Sequence, residues 1–193
     1  MSTEPAVSAV FQGLALVGLG ANLGDAQASV WQAIAACAQC PDTRCLGWSS
    51  AWRTAPVDAQ GPDFVNAVAV LETTLAPLQL LDALQAIEQQ HGRERPYRNA
   101  PRTLDLDLLA LQGCEMAEPR LTLPHPRMFG RAFVLAPLLE LCPTWVWPKV
   151  GPLEQALLAC QDQALHVLPG AWPQPPAPQR AALAQRLQQA FAG

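Results

Sequence analysis

Arg102-Thr103-Leu104-Asp105-Leu106-Asp107-Leu108-Leu109 alternates leucine with polar residues, the period of a strand whose successive side chains leave opposite faces. Leu104, Leu106 and Leu108 would then enter a core, while Thr103, Asp105 and Asp107 share the other face. Two carboxylates on one strand face stand roughly 7 Å apart along the chain. Unpaired, they repel each other and one resists ionisation. A divalent cation removes the conflict. Mg²⁺ suits carboxylate oxygen and takes its remaining ligands from water and substrate phosphates. A bare Asp-x-Asp also fits a strand with a solvated polar face, so the neighbouring residues decide.

Those neighbours are arginines. Of 12 Lys+Arg only Lys149 is lysine, and Arg93, Arg95, Arg98, Arg102, Arg120, Arg127 and Arg131 crowd into positions 93–131. The formal net charge is -4, so the cluster is local within an acidic chain. A guanidinium fork matches phosphate bidentately, which an ammonium cannot. Paired aspartates flanked by arginines read as a polyphosphate cradle with its metal site. Nucleic acid is disfavoured, because a pI near 5.3 leaves no extended basic footprint.

Length and composition set the frame. At 193 residues, 50% hydrophobic and 15% charged, the chain predicts one well-filled domain. No apolar run reaches the roughly 18 residues of a membrane span. The first basic residue is Arg44, which argues against a signal peptide. The cytoplasm is therefore expected, with six reduced cysteines. Cys37-Ala-Gln-Cys40 lies at the end of an apolar helical run rather than at a helix start. It reads as structural rather than redox or zinc-binding.

Around the aspartate strand, elements alternate. Strands are predicted at 14–19, 44–52 and 64–73, and helices at 26–40 and 77–91, the second opened by Pro77. With the aspartate strand this gives β-α-β-β-α-β, an α/β (α+β) class with the ferredoxin-like βαββαβ core. Two helices would cover one face of an antiparallel sheet. Extra C-terminal helices follow near 131–141 and from Pro152. The boundary is drawn at 170: residues 1–170 form the domain, and 171–193 a Pro-rich linker and short helical tail striped by Leu183, Leu187 and Phe191. A monomer is expected, with a dimer through that tail as the alternative. Gly18-Leu-Gly20-Ala-Asn-Leu23 lacks the third glycine of a dinucleotide fingerprint, and no Walker A sequence is present.

An ordered set of motifs resembles the 6-hydroxymethyl-7,8-dihydropterin pyrophosphokinase family. It comprises Gly20-Ala-Asn-Leu-Gly24, Thr54-Ala-Pro56, Phe64-Val-Asn66, Ile87-Glu88, Pro101-Arg-Thr-Leu-Asp-Leu-Asp107, Leu121-Thr-Leu-Pro-His125-Pro and Arg131-Ala-Phe133, spread over about residues 14–168. The resemblance implies transfer of pyrophosphate from ATP to a reduced hydroxymethyl pterin in folate biosynthesis, releasing AMP. It implies that Asp105 and Asp107 hold two Mg²⁺ ions. Gln85, Arg93, Arg95, Arg98, Arg102, Arg120, Thr122, His125 and Arg131 would line the ATP side, with the Leu108 backbone near the adenine. Arg95, Arg102, His125 and Arg131 would act on the transferring group. Thr54, Pro56, Val57, Phe64, Asn66 and Phe133 would form the pterin pocket. Partners would be small molecules, with neither nucleic acid nor membrane.

The residue types suit that chemistry. Phosphoryl transfer needs positioning and charge neutralisation, flat heterocycles stack on Phe64 and Phe133, and Asn66 offers donor and acceptor to a cyclic amide. Many family members carry Arg-Trp-Gly-Pro-Arg where this chain has Arg98-Asn-Ala-Pro-Arg102. The loop at 92–100 is expected to act as a lid lacking that tryptophan. Another Mg²⁺-dependent transferase using the Asp-x-Asp, or an idle ferredoxin-like binding module, are the rival readings.

Overall fold

The computed structural model describes residues 12–56, 61–92 and 103–192. The chain runs β1 (Gly13–Ala21), α1 (Ala26–Cys37), β2 (Thr43–Trp48), β3 (Ala51–Thr54), β4 (Phe64–Thr73), α2 (Pro77–Gln90) and β5 (Asp105–Leu111). A small hairpin follows, β6 (Met116–Ala117) with β7 (Thr122–Leu123), then a 3-10 turn at Met128–Gly130 and α3 (Ala132–Leu141). The remainder is β8 (Val146–Trp147), β9 (Gly151–Pro152), α4 (Leu153–Leu158), β10 (Leu165–Leu168) and α5 (Ala177–Ala190).

Local chemistry sets the helix ends. Asp25 accepts from the Ala28 amide at 2.9 Å and caps α1. α1 stops at Cys37, short of the expected Cys40, because Pro41 disfavours helical backbone before it. Pro77 opens α2, and Gln79 Oε1 accepts from the Ala76 amide at 3.0 Å.

The main sheet is ordered β10-β3-β4-β1-β5, with β2 also on β4, and every pairing is antiparallel. This is the ferredoxin-like order with one strand added outside β3. The predicted single strand 44–52 is two strands. At the break, Ser49 Oγ accepts the Val68 amide at 3.0 Å in place of a backbone carbonyl. The Ser49 carbonyl then accepts from Trp172 Nε1 at 3.0 Å.

Both sheet faces are covered. α1 and α2 bury Val30, Ile34, Leu80 and Leu84 against Val17, Leu19, Leu71 and Leu106. α3, α4 and α5 bury Leu135, Leu138, Leu153 and Leu187 against Leu14, Leu16, Val68, Val70 and Leu109. The C-terminal helices are thus a second layer, not appendages.

The tail wraps the outer edge of β2 from one face to the other. Trp172 stacks on Trp31, with centroids 5.9 Å apart, and Trp48 Nε1 donates to the Pro173 carbonyl at 2.9 Å. Pro173, Pro175, Pro176 and Pro178 have no N–H to give, so this stretch covers the edge without extending the sheet. Gly47 makes room for α5: a Cβ there would lie 2.6 Å from Leu183 Cδ2. Glu72 on β4 pairs with Arg44 at 2.6 Å and with Arg186 of α5 at 2.5 Å. The Arg186 contact foremost holds the Glu72 carboxyl below its usual range. Leu183, Leu187 and Phe191 are buried in the second core. All six cysteines are free, and burial pushes the Cys37 thiol up and that of Cys45 up to about 11, which suppresses thiolate chemistry.

Trp172→Ala removes a buried stack and a buried hydrogen bond, and should cost about 3–5 kcal/mol of unfolding free energy. Urea denaturation checks this; a loss below about 1 kcal/mol would make the strap peripheral.

Candidate active site

The site arises where the α3 layer ends. Side chains at positions 14, 16, 18 and 20 of β1 share one face, as do 70, 68, 66 and 64 of β4. Along each strand the apolar residues packed under α3 give way to glycine or polar residues: Leu14 and Leu16 to Gly18 and Gly20, Val70 and Val68 to Asn66. On β5 Asp105 and Asp107 give way to Leu109 by the same alternation, and a bulge follows. Leu16 pairs with Ala110 and Val17 with Leu108, leaving Leu109 as the extra residue. Leu109 turns under α3, while Asp107 and Asp105 continue on the bare half.

Register aligns the polar half into rows. Gly20 stands opposite both Asn66 and Asp105, and Gly18 opposite Asp107. The glycines form a floor between Asn66 and the aspartates. A Cβ on Gly20 would lie 3.0 Å from Asn66 Oδ1, and one on Gly18 would lie 3.4 Å from Leu109 Cδ1. Buried Asn66 donates from Nδ2 to Thr54 Oγ1 at 2.9 Å, which fixes its amide and turns Oδ1 over that floor. Asn22 Nδ2 donates to the Pro62 carbonyl at 3.2 Å, tying the turn after β1 to the approach of β4.

β5 is the outermost strand on its side, and its free edge is held by side groups. Leu106, between the two aspartates, donates its amide to Glu88 Oε1 at 2.6 Å, and Glu88 is only 4% exposed. The Leu109 carbonyl accepts from the His125 amide at 2.7 Å, so the bulge fixes His125 beside the aspartates. His125 Nδ1 accepts from the Arg127 amide at 3.2 Å. That bond needs a lone pair on Nδ1, so the ring proton sits on Nε2. Burial lowers the His125 pKa, and Arg131 and Arg127 lower it further against the opposing pull of Asp107.

Arg131 immediately precedes α3. Its Nη1 lies 3.5 Å from Asp107 Oδ2, and its guanidinium stands 5.3 Å from the centroid of the Phe133 ring. One helix start therefore carries both a cation and a half-exposed aromatic face.

The structure brings together Thr54, Phe64, Asn66, Asp105, Asp107, His125, Arg131 and Phe133 around this bare half-face. Half-buried Pro56 follows β3 at its rim. Gln85 is exposed on α2, and Thr122 is exposed on β7. Leu108 is buried in the core on the opposite face, so only its backbone can face a ligand. Arg120 pairs with Asp82 of α2. Val57, Arg93, Arg95, Arg98 and Arg102, with the expected lid at 92–100 apart from Gly92, lie outside the described residues. The sequence reading gives no site role to Gly18, Gly20 or Glu88. The two glycines fall on the aspartate face by strand parity, a signal available only once register is known.

Two carboxylates, a histidine and an arginine set beside a half-exposed aromatic ring are the residue types of a phosphoryl-transfer enzyme class. The family model described as 7,8-dihydro-6-hydroxymethylpterin-pyrophosphokinase matches residues 16–143, and the chain belongs to that family. It is 45% identical over 156 residues to the 2-amino-4-hydroxy-6-hydroxymethyldihydropteridine pyrophosphokinase of Pseudomonas aeruginosa, covering 80% of this chain and 96% of that one. The Haemophilus influenzae enzyme of the same name is 44% identical over 137 residues, covering 70% and 85% of the two chains. Among solved structures, a Plasmodium falciparum HPPK-DHPS wild-type structure with SDX-DHP shares the fold with a TM-score of 0.60 at 11% identity. It covers 77% of this chain, which spans 44% of that longer one.

The His125 shift has a sign that can be tested. Because its pKa in the fold is lowered, the unfolded chain binds the proton first, near pH 6.5. The imidazole's contribution to stability is complete above that value and is lost as pH falls through the lower folded value. NMR titration of the His125 ring should give a midpoint below 6.5, and a midpoint at or above it would contradict the depression by burial.

Proposed function

We infer that this chain catalyses the Mg²⁺-dependent transfer of pyrophosphate from ATP to 6-hydroxymethyl-7,8-dihydropterin, giving AMP and the pterin pyrophosphate, a step of folate biosynthesis. Family membership supports the reaction. The observation that carries it is the row Asn66–Gly20–Asp105, in which an amide held by Thr54 is joined across a glycine floor to one of the paired carboxylates. In the reaction the pterin hydroxymethyl oxygen bonds to the β-phosphorus of ATP. The bond from that phosphorus to the oxygen shared with the α-phosphate breaks, AMP leaves, and the hydroxyl proton is released.

Asp105 and Asp107 are the residues that would hold Mg²⁺, two ions in this reading. They are half-exposed oxygen donors on one strand face, the ligand chemistry that ion accepts. When bound, the metal neutralises the triphosphate and aligns its oxygens. Arg131 neutralises charge on the transferring group next to Asp107. His125 donates from Nε2 to a phosphate oxygen. On the family resemblance, Arg93, Arg95, Arg98 and Arg102 would add guanidinium contacts to the same phosphates.

Gln85, Thr122, Arg120 and the Leu108 backbone take the nucleoside end of ATP. Arg120 exchanges a surface ion pair with Asp82 for phosphate, at small cost. Thr54 and Asn66 read the polar edge of the pterin, and Phe64 and Phe133 stack on its faces, with Pro56 at the rim and Val57 assigned to the same pocket by the family resemblance alone. The enzyme acts in the cytoplasm as a monomer, since the apolar stripe of α5 that would pair two copies is buried in its own fold.

Incubation with ATP, Mg²⁺ and the hydroxymethyl dihydropterin should yield AMP; chromatography showing ADP instead would remove the reading. Asp105→Ala or Asp107→Ala should cut turnover at least about 100-fold with the fold intact, and near-normal rates at limiting Mg²⁺ would overturn the metal assignment. Phe133→Ala should weaken pterin binding about tenfold by loss of one stacking face. Its affinity for a non-hydrolysable ATP analogue should hold, and equal losses for both ligands in calorimetry would contradict the two-pocket division.

A further inference from the structure

Gln163 lies outside the stretch matched by the family model, in the short loop between α4 and β10. Its side chain meets the backbone on both sides of Arg131. Nε2 donates to the Gly130 carbonyl at 3.0 Å, and Oε1 accepts the Ala132 amide at 2.9 Å. The primary amide thus pairs with the flanking peptides as a neighbouring strand would, donor to carbonyl and acceptor to amide.

The position matters because nothing local performs this task. Arg131 occupies the N-cap position of α3 in extended backbone, φ -124° and ψ 109°, and its own side chain makes no capping bond. The first amides of a helix need acceptors from elsewhere, and Gln163 supplies one from 31 residues away. Gln163 is itself anchored. Its amide donates to the Cys160 carbonyl at 3.0 Å, and two residues later Leu165 opens β10 directly opposite Thr54 of β3. One side chain therefore ties the strand edge bearing Thr54 to the backbone bearing Arg131.

We propose that Gln163 is a positioning residue for pyrophosphoryl transfer, fixing the Arg131 backbone so that its guanidinium lies over Phe133 and beside Asp107. The inference rests on the reading that Arg131 stabilises the transferring group. Losing the bracket frees Arg131 to rotate, and misplacement on the order of 1 Å can cost up to about 100-fold in rate. Because the ground-state pocket is built by other residues, kcat should fall more than KM.

A double-mutant cycle on kcat is the test, comparing Gln163→Ala, Arg131→Ala and the double variant, with circular dichroism to verify folding. Gln163→Ala should lower kcat about tenfold in the wild-type background and leave it unchanged in the Arg131→Ala background, since coupled residues are non-additive. Gln163→Glu keeps the acceptor for Ala132 but sets a carboxylate against the Gly130 carbonyl, and should also lose rate. Equal factors in both backgrounds would overturn the positioning role while leaving that of Arg131 intact. An Arg131→Ala enzyme with wild-type kcat would instead remove the parent reading, and the inference with it. Should Gln163→Ala fail to fold, the same cycle run with Gln163→Glu decides the question by the same criterion.

Discussion

The packing of α3 over half of one sheet face determines where everything else in this molecule can stand. Leu14, Leu16, Val68, Val70 and Leu109 need that cover, since bare apolar faces of this size are unstable in water. The cover ends at Arg131. Beyond it the same strands carry glycine, asparagine and aspartate, which could not have been buried under a helix without partners. A single layer boundary thus separates core from chemistry. The residue at that boundary is held by the far side of the sheet through Gln163.

The bulge at Leu109 redirects the end of β5, so that one strand feeds both cores. Alternation alone sets Asp105, Asp107 and Leu109 on one face, and the bulge then returns Leu111 to the opposite core with Leu106 and Leu108. One extra residue shifts the parity between Leu108 and Leu111. The bulged peptide also offers its carbonyl to the His125 amide. Glu88 does the corresponding service between the two aspartates, taking the Leu106 amide at a strand edge that has no further strand among the described residues. Sheet edge, bulge and carboxylate pair are therefore one construction.

Much of this was legible from the chain. β4 and α2 match their predicted spans to within a residue, because their periodicities are clean and their ends are marked by Pro62 and Pro77. The aspartate strand, the place of Asn66 on β4 and the arrangement of β-α-β-β-α-β are readable for the same reason, whereas Thr54 enters only through the family resemblance. The break between β2 and β3 is not, since it depends on the Ser49 hydroxyl and on Trp172, more than a hundred residues distant. Nor is the second helix layer: α3 is apolar nearly all round, which shows burial but not against which face. Gly18, Gly20 and Gln163 carry no pattern of their own, and their places follow only from register and from a turn packed against a distant loop. The arginines at 93, 95, 98 and 102 remain sequence expectations, lying outside the described residues.

The strap across β2 bears on how the molecule is assembled in time. Trp31 and Trp48 belong to the first quarter of the chain, yet their stacking and hydrogen-bonding partners come from residues 172 and 173. As the chain emerges from the ribosome, the ferredoxin-like core can pair its strands while this edge still lacks its cover. For that interval an uncovered strand edge with two exposed indoles faces the surrounding solution, the kind of surface on which nascent chains associate. The prolines that follow Trp172 end the interval without offering a strand of their own. Chaperone demand should therefore be greatest late in synthesis rather than early.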